Sequence, residues 1–469
     1  MKLGTNYTNS KLQEYRQAYL FIVLIIIASG IMLFISDDIQ ISIHVSALGL
    51  LSVGSCVIVK FDIMHPYCWY SIFFFLYSTS YSILYSQNGL NMNFGYSKRA
   101  LVCCWIAQVV FLLVVSPKSY RSDNPLWLKE DIKTEPSAYL DIVINMLGAF
   151  LLFSAALALG IGATKKGQIY NANNPIIRIA LYFSIIVPVI FTYQYYSKSR
   201  IKGNADISTI IRCGVPVCLF GFILGERDVY LRFLLILVIT SFHLGFIKKK
   251  YLFVIVPIGI LILIFSKAYK YYALSGNTGV AITDYSVKGI FLDFLSVDFT
   301  SAGRNLQLVV TTPGTKGFFK GEGLINEFVR VFVNTDFGSH SSWYNRTIVP
   351  FNHAAGYGFT IVGSGYAEFG FAGIVLVFTI ISLMIKTLYK HASRNIYTLL
   401  LYVFAIPTYI YAIRQDLANI LSPMIKHAFF AVLAVYFCVQ LERNNYSQKQ
   451  YLIKRKIELR SRSRDSKEV

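Results

Sequence analysis

Apolar residues along this chain gather into runs long enough to cross a bilayer, parted by short polar breaks. A helix needs ~20 consecutive, mostly apolar residues to span the hydrocarbon core. With helical continuity inside each run, twelve spans are predicted, at roughly 18–35, 41–59, 67–86, 99–116, 138–161, 176–196, 207–224, 229–246, 251–270, 357–388 with its approach segment, 394–413 and 423–440. The expected fold class is an all-α polytopic integral membrane protein. Residues 1–270 carry nine spans on short loops, 271–356 form one long polar segment, 357–440 carry three more spans, and 441–469 form a basic tail.

The long segment breaks the pattern. Loops beyond ~12–15 residues are commonly functional or disordered. This one is rich in Gly, Ser, Thr and Asn, yet it also holds Tyr, Phe and Trp343, and its stretch LINEFVRVFV has apolar residues at helical spacing. It reads as a folded cap on a helical bundle. The stretch GFTIVGSGYAEFGFAGIVLVF leads out of the cap into the tenth span, and sets a carboxylate, Glu368, among glycines at the edge of an apolar run.

Composition supports the membrane class. The chain is 55% hydrophobic and 14% charged, with a mean hydropathy of +0.53; soluble domains carry about 25% charged residues. The net charge of +20 is scattered between apolar runs rather than gathered on one face, which argues against nucleic acid as a partner. Its distribution instead orients the chain. The N-terminus, VSPKSYRSDNPLWLKEDIKTEPS, SKSRIKGNAD, FIKKK, KTLYKHASRN and the tail are basic, whereas SDDIQ, QNGLNMNFGYSKR, TKKGQIYNANNP, GERD and RQDLANILS are poorer in charge. The positive-inside rule then puts both termini in the cytoplasm and the cap outside. The tail has the character of a basic extension attracted to anionic lipid. The N-terminus shows no cleavable signal pattern, so the first span is expected to be retained. All seven cysteines lie in or beside apolar runs, at spacings that suit neither zinc nor a disulfide framework.

Arginines at the outer ends of helices run against this orientation and so need a reason. Arg227 opens a span in GERDVYLRF, Arg304 begins the cap in SAGRNLQLVV, and Arg414 ends the eleventh span in YAIRQD. Arg330 and Arg346 lie in the cap, and Arg232 sits one turn beyond Arg227. Guanidinium matches phosphate oxygens two at a time, so a bound lipid pyrophosphate is one explanation. Local ion pairs are the other: Glu226 and Asp228 flank Arg227, and Asp416 is near Arg414. Arg232 either joins Arg227 or faces the bundle interior. Arg178 and Arg212, toward the ends of other spans, are expected to snorkel.

Glu368 is either a general base in a low-dielectric setting or a helix-start carboxylate favoured by the macrodipole. His353 and His340 are the cap histidines and the alternative proton carriers, His353 ahead of His340. No cluster has metal-ligand spacing, and neither a P-loop nor a dinucleotide fingerprint is present. No metal or nucleotide cofactor is therefore expected.

Three patches give the chain a resemblance to the O-antigen polymerase (Wzy) family and, more distantly, to the O-antigen ligases. They are GERDVYLRFLLILV, TSAGRNLQLVVTTPGTKGFFKGEG with its closing Gly-x-Gly, and GSGYAEFGFAGIVLVF. The ligases carry a histidine closer to this last stretch, where Phe359 and Thr360 stand here. The resemblance implies a GT-C-like glycosyltransferase of the bacterial inner membrane. It would transfer a growing glycan from undecaprenyl pyrophosphate to a newly flipped, carrier-linked repeat unit. The implied partners are those lipid-linked glycans, membrane lipid, a flippase and a Wzz-like chain-length regulator of the same pathway. Arg227, Arg304 and Arg414, with Arg232 and Arg330, would meet the pyrophosphate. Glu368 or His353 would take the acceptor proton, and Trp343, Tyr344 and Tyr357 would stack on sugar rings. A ligase and a lipid-linked oligosaccharide flippase are the rival functions.

Overall fold

The computed structural model describes residues 41–86, 97–116, 134–162, 174–251, 254–255, 258–259, 261–262, 294–296, 299–333, 338–349 and 358–465. Among these residues the secondary structure is helical throughout, with no strand. The helices are α1 (Ile41–Ile58), α2 (Pro66–Ser86), α3 (Lys98–Val115), α4 (Ala138–Gly160), α5 (Pro175–Lys202), α6 (Ile207–Ile223), α7 (Arg227–His243), α8 (Thr300–Thr311), α9 (Glu322–Phe332), α10 (Ile361–Phe369), α11 (Phe371–Ala392), α12 (Ile396–Ala412) and α13 (Phe430–Asp465). Short helical turns at His340–Trp343 and Ala418–Ser422 complete the set that matters here.

Among the described residues, five helical stretches are long and apolar enough to cross a membrane: α3, α4, α5, α11 and a run over Ala418–Gln448 that includes most of α13's apolar part. Shorter apolar helices cover Ile43–Ile58, Ile207–Ile223 and Ile396–Ala412. The described residues are thus those of a helical, membrane-embedded protein. The predicted spans 67–86 and 229–246 are helical, as α2 and α7, but α2 is interrupted by Ser, Thr and Tyr and α7 has only 17 residues. The span expected at 18–35 lies outside the described residues, as does most of 251–270.

The predicted span 357–388 with its approach segment is, over its described residues, two helices, α10 and α11, broken at Gly370. Gly370 has φ +63° and ψ −135°, a conformation essentially reserved for glycine. The two helices meet through glycines. A Cβ on Gly365 would lie 2.7 Å from the Ile374 Cα, and one on Gly373 would overlap the Gly365 carbonyl. Backbone contact this close admits no side chain, which accounts for the glycine spacing of the stretch.

The chain folds into two compact units, one of residues 1–129 and 241–426, the other of 130–240 and 427–469. In the first, α2 is a hub. Its Tyr70 stacks on Phe111 of α3 at 4.1 Å, and its Trp69 indole donates to the Tyr402 hydroxyl of α12 at 3.2 Å. Gly303 of α8 sits against α2, where a Cβ would lie 2.9 Å from Tyr81 Cβ. Cap helix α8 is therefore packed into the body of this unit. The Lys386 ammonium of α11 ties that helix to α3 by donating to the Val114 carbonyl at 2.7 Å.

In the second unit, α4 packs on α6 at Gly148, where a Cβ would lie 3.3 Å from the Arg212 carbonyl. Asp141, in the first turn of α4, accepts from Lys198 of α5 at 2.7 Å and from Arg212 of α6 at 2.8 Å. Arg212, expected to snorkel, instead serves this ion cluster, because a carboxylate in the opening turn of α4 lies within its reach.

Candidate functional site

The chemistry of the first unit centres on His340. Ser339 accepts the Ser342 N–H at 3.1 Å, capping a single helical turn and fixing His340 at its start. The imidazole then bridges two acids: Nδ1 contacts Glu327 Oε1, and Nε2 lies 2.7 Å from Glu368 Oε1. All three side chains are fully buried. The Nε2–Oε1 approach is a close charge contact set off the line of a hydrogen bond.

The other carboxylate oxygens are held by backbone. Gly321 N–H donates to Glu368 Oε2 at 2.7 Å, and Leu417 N–H donates to Glu327 Oε2 at 2.9 Å. Charge-assisted bonds of this kind are among the stronger ones in proteins. Phe319 meets the imidazole edge-on at 4.7 Å and Phe359 lies parallel to it at 6.1 Å, which completes an apolar enclosure.

Burial by itself would lower the His340 pKa, but the Glu327 and Glu368 carboxylates overcome it and push it up to about 10. Burial raises the Glu327 pKa; the His340 imidazolium opposes this and the nearby Asp416 reinforces it. At neutral pH the ring is therefore an imidazolium between two carboxyl groups. The imidazolium thus sits between the two acids, hydrogen-bonded to Glu327 through Nδ1 and in charge contact with Glu368 through Nε2.

The site is assembled by the cap loop that precedes α9. The last turn of a helix leaves carbonyls without intrahelical partners. Here Tyr366 and Ala367 of α10 accept from the backbone N–H groups of Gly317 at 3.2 Å and Phe319 at 3.0 Å. That loop needs left-handed glycines, Gly317 at φ +67° and Gly321 at φ +102°. Gly323, in the first turn of α9, faces the charge pair directly. A Cβ there would lie 2.6 Å from His340 Nε2 and overlap Glu368 Oε1. The Gly-x-Gly at 321–323 and Glu368, from two separate sequence patches, thus meet side by side.

Glu368 lies in the last turn of α10, not at a helix start. The macrodipole explanation is therefore replaced by specific partners, the Gly321 N–H as donor and the His340 ring as a close charge. His353 and Tyr357 lie outside the described residues. His340, ranked below His353 from sequence, occupies the centre, and Glu327 was not singled out at all. Its one sequence signal is a carboxylate inside the amphipathic stretch LINEFVRVFV, four residues after a glycine.

The arginines divide. Arg330 of α9 pairs with Asp416 at 3.3 Å, and Asp416 also accepts from Asn419 at 2.6 Å. Asp416, expected as the local partner of Arg414, is turned instead to the cap. The Arg414 guanidinium rests over the Tyr411 ring at 4.8 Å. The neighbourhoods of Arg304 and Arg414 meet at Gly358. The Asn305 side-chain amide donates to the Gly358 carbonyl, and a Cβ on Gly358 would lie 2.5 Å from the Arg414 carbonyl oxygen. Arg227 and Arg232 belong to the second unit. Arg232 is buried and pairs with Asp228 at 2.9 Å, one turn back on α7.

Of the expected sugar-stacking aromatics, Tyr344 is fully buried and its hydroxyl donates to Asn305 Oδ1 at 2.8 Å. Trp343 is part-exposed and stacks on Phe318 at 5.4 Å. Among the described residues no group of three or more His, Cys, Asp or Glu is arranged to hold a metal. No protein-family model, curated protein or solved structure matches this chain.

Proposed function

We propose that this protein polymerises undecaprenyl-pyrophosphate-linked oligosaccharide repeat units into O-antigen or a related surface polysaccharide, at the outer face of the inner membrane, as an integral-membrane glycosyltransferase of GT-C-like type. One observation carries the reading. Sequence patches that lie far apart in the chain, around Arg304, Gly321–Gly323, Glu368 and Arg414, are brought together in one unit beside a carboxylate–imidazole–carboxylate set.

On this reading Arg304 and Arg414 offset the charge of the departing pyrophosphate. The bond between the anomeric carbon and the phosphate oxygen breaks, and its electron pair leaves with the pyrophosphate. The acceptor hydroxyl oxygen forms the new bond to that carbon. Its proton passes to Glu368, whose charge the His340 imidazolium balances beforehand. Glu368 is buried with both oxygens engaged, so the acceptor gains access when α9 and its leading loop draw back from α10. No metal or nucleotide is needed for these steps, since the lipid pyrophosphate is itself the activated donor.

The test is a deletion strain with the matching glycan pathway, its surface lipopolysaccharide run on a gel. Wild type should restore a ladder, while Glu368→Gln and Arg304→Ala, at matched expression, should leave one core-plus-one-unit band. A bare core band in the deletion strain would overturn the polymerase and point to a ligase or a flippase, because no repeat unit would then reach the core. A full ladder with both variants would remove these residues from the working site.

A further inference from the structure

Cap helix α9 is built inside out. An amphipathic helix on a water-soluble body turns its apolar stripe to the core and its charges to solvent. Here the buried face carries Gly323, Glu327 and Val331, with Arg330 reaching Asp416. The outward face carries Ile325, Phe328, Val329 and Phe332, at helical spacings of three, four and seven, with exposures of 64%, 55%, 43% and 64%. Left in water, these four side chains would form a contiguous apolar patch of the kind soluble surfaces avoid.

The position of the helix says what covers the stripe. Gly321, its N-cap, packs against the Phe369 ring, since a Cβ there would lie 3.3 Å from Phe369 Cζ. Two residues on, α11 begins, a helix long and apolar enough to cross the membrane, with Val375, Leu376 and Leu383 exposed along it. Phe369 is itself 44% exposed. The apolar surface of α9 therefore starts at the level of the first turn of α11. Lys316 and Lys320, both exposed, flank this junction, and Lys316 Nζ lies 5.9 Å from the centre of the Phe371 ring. An exposed apolar stripe, a polar opposite face and lysines at the end where a span begins are the composition of a helix lying in the bilayer interface.

We propose that α9 lies in the plane of the bilayer, its Ile325–Phe328–Val329–Phe332 stripe seated among the acyl chains of the leaflet in which α11 begins. An in-plane helix of this kind sinks ~5–10 Å into the headgroup–acyl boundary. The inference needs only the membrane placement of the chain and is independent of the reaction. It has a consequence for the site: the helix that holds Glu327, and whose N-cap holds Glu368, is anchored by lipid, so the charge set lies at the lipid–water boundary.

The test uses the full chain reconstituted in phosphatidylglycerol–phosphatidylethanolamine vesicles. Single cysteines are introduced by Ile325→Cys, Phe328→Cys and Phe332→Cys and given a nitroxide label, with the parent protein as background for its own cysteines. Oxygen, which partitions into acyl chains, and a water-soluble nickel chelate report which medium each label meets. Leu383→Cys sets the lipid value and Arg346→Cys, at an exposed cap residue, sets the aqueous one. The expected result is an oxygen-to-nickel ratio at all three stripe positions shifted from the Arg346→Cys value to the Leu383→Cys value. Ratios equal to that of Arg346→Cys would overturn the proposal by placing the stripe in water. Protection from both reagents, with spin–spin broadening between labels, would overturn it in favour of a second copy of the chain. Each variant is first checked for monodisperse elution, and the three positions are read separately, so one misfolded variant leaves the others to decide.

Discussion

Gly323→Ala is the smallest change that reaches the charge set without altering any of its members. The added methyl carbon would lie 2.6 Å from His340 Nε2 and 2.8 Å from Cε1, and would overlap Glu368 Oε1. Non-bonded heavy atoms settle at about 3.5–4.0 Å, so the ring must shift by about 0.9 Å and the Glu368 carboxylate by more. If the side chains hold, the strain is that of an overpacked core, about 1–3 kcal/mol. If they part, the 2.7 Å His340–Glu368 contact opens, and breaking a buried charge pair costs about 3–5 kcal/mol. Alanine returns about 1 kcal/mol as the better helix former. The net expected loss is about 0–2 kcal/mol in the first case and about 2–4 kcal/mol in the second. It is read as a drop in the apparent melting temperature of the detergent-solubilised protein. Gly160→Ala is the control, since a Cβ there meets nothing within 4 Å, and it should be neutral or slightly stabilising. A double-mutant cycle with Glu368→Gln assigns the mechanism: if the loss acts through the His340–Glu368 contact, the two changes together cost less than their sum. A Gly323→Ala protein that melts above the wild-type temperature would refute the close packing from which the prediction follows.

Two further outcomes follow from the same geometry. The His340 pKa is raised from 6.5 to about 10 in the folded protein, so its contribution to stability is fully present below about pH 6.5 and is lost as the pH rises through about 10; melting curves in that window should fall with pH, and His340→Gln should flatten the fall. Gly373→Ala should be more damaging than Gly323→Ala, because its methyl would overlap the Gly365 carbonyl, and backbone has no rotamer by which to yield; loss of monodisperse protein on gel filtration is the expected reading, and a well-folded variant would contradict the α10–α11 crossing.

Residues of the site differed in how legible they were. Glu368 stood out because a charge at the edge of an apolar run is costly and so needs a partner. The glycines around it stood out for their number, and the crossing at Gly365 and Gly373 explains them. Glu327 did not stand out, since one acid in an amphipathic stretch reads as part of a solvated face. His340 was undervalued because a histidine in a polar loop is ordinarily structural. Both became central only when α9 and the turn at His340–Trp343 were folded onto α10. The arginines show the same limit. Proximity in sequence pointed Arg414 to Asp416, but Asp416 pairs with Arg330, which lies 86 residues away along the chain.

The sequence by itself determined the solvent of this protein and the positions of most of its helices. Hydrophobic run length and local cap residues are one-dimensional properties: α1, α3, α4 and α6 end within a residue or two of the breaks that polar residues mark. It also determined that Glu368 would need donors. The tertiary structure alone decided which groups supply them, where the helix would break at Gly370, and which face of α9 turns outward. Those outcomes depend on contacts between segments remote in the chain, and on a balance of buried charge against apolar exposure. An amphipathic pattern records that a helix has two faces; only packing, and the medium on the other side, decide which one is buried.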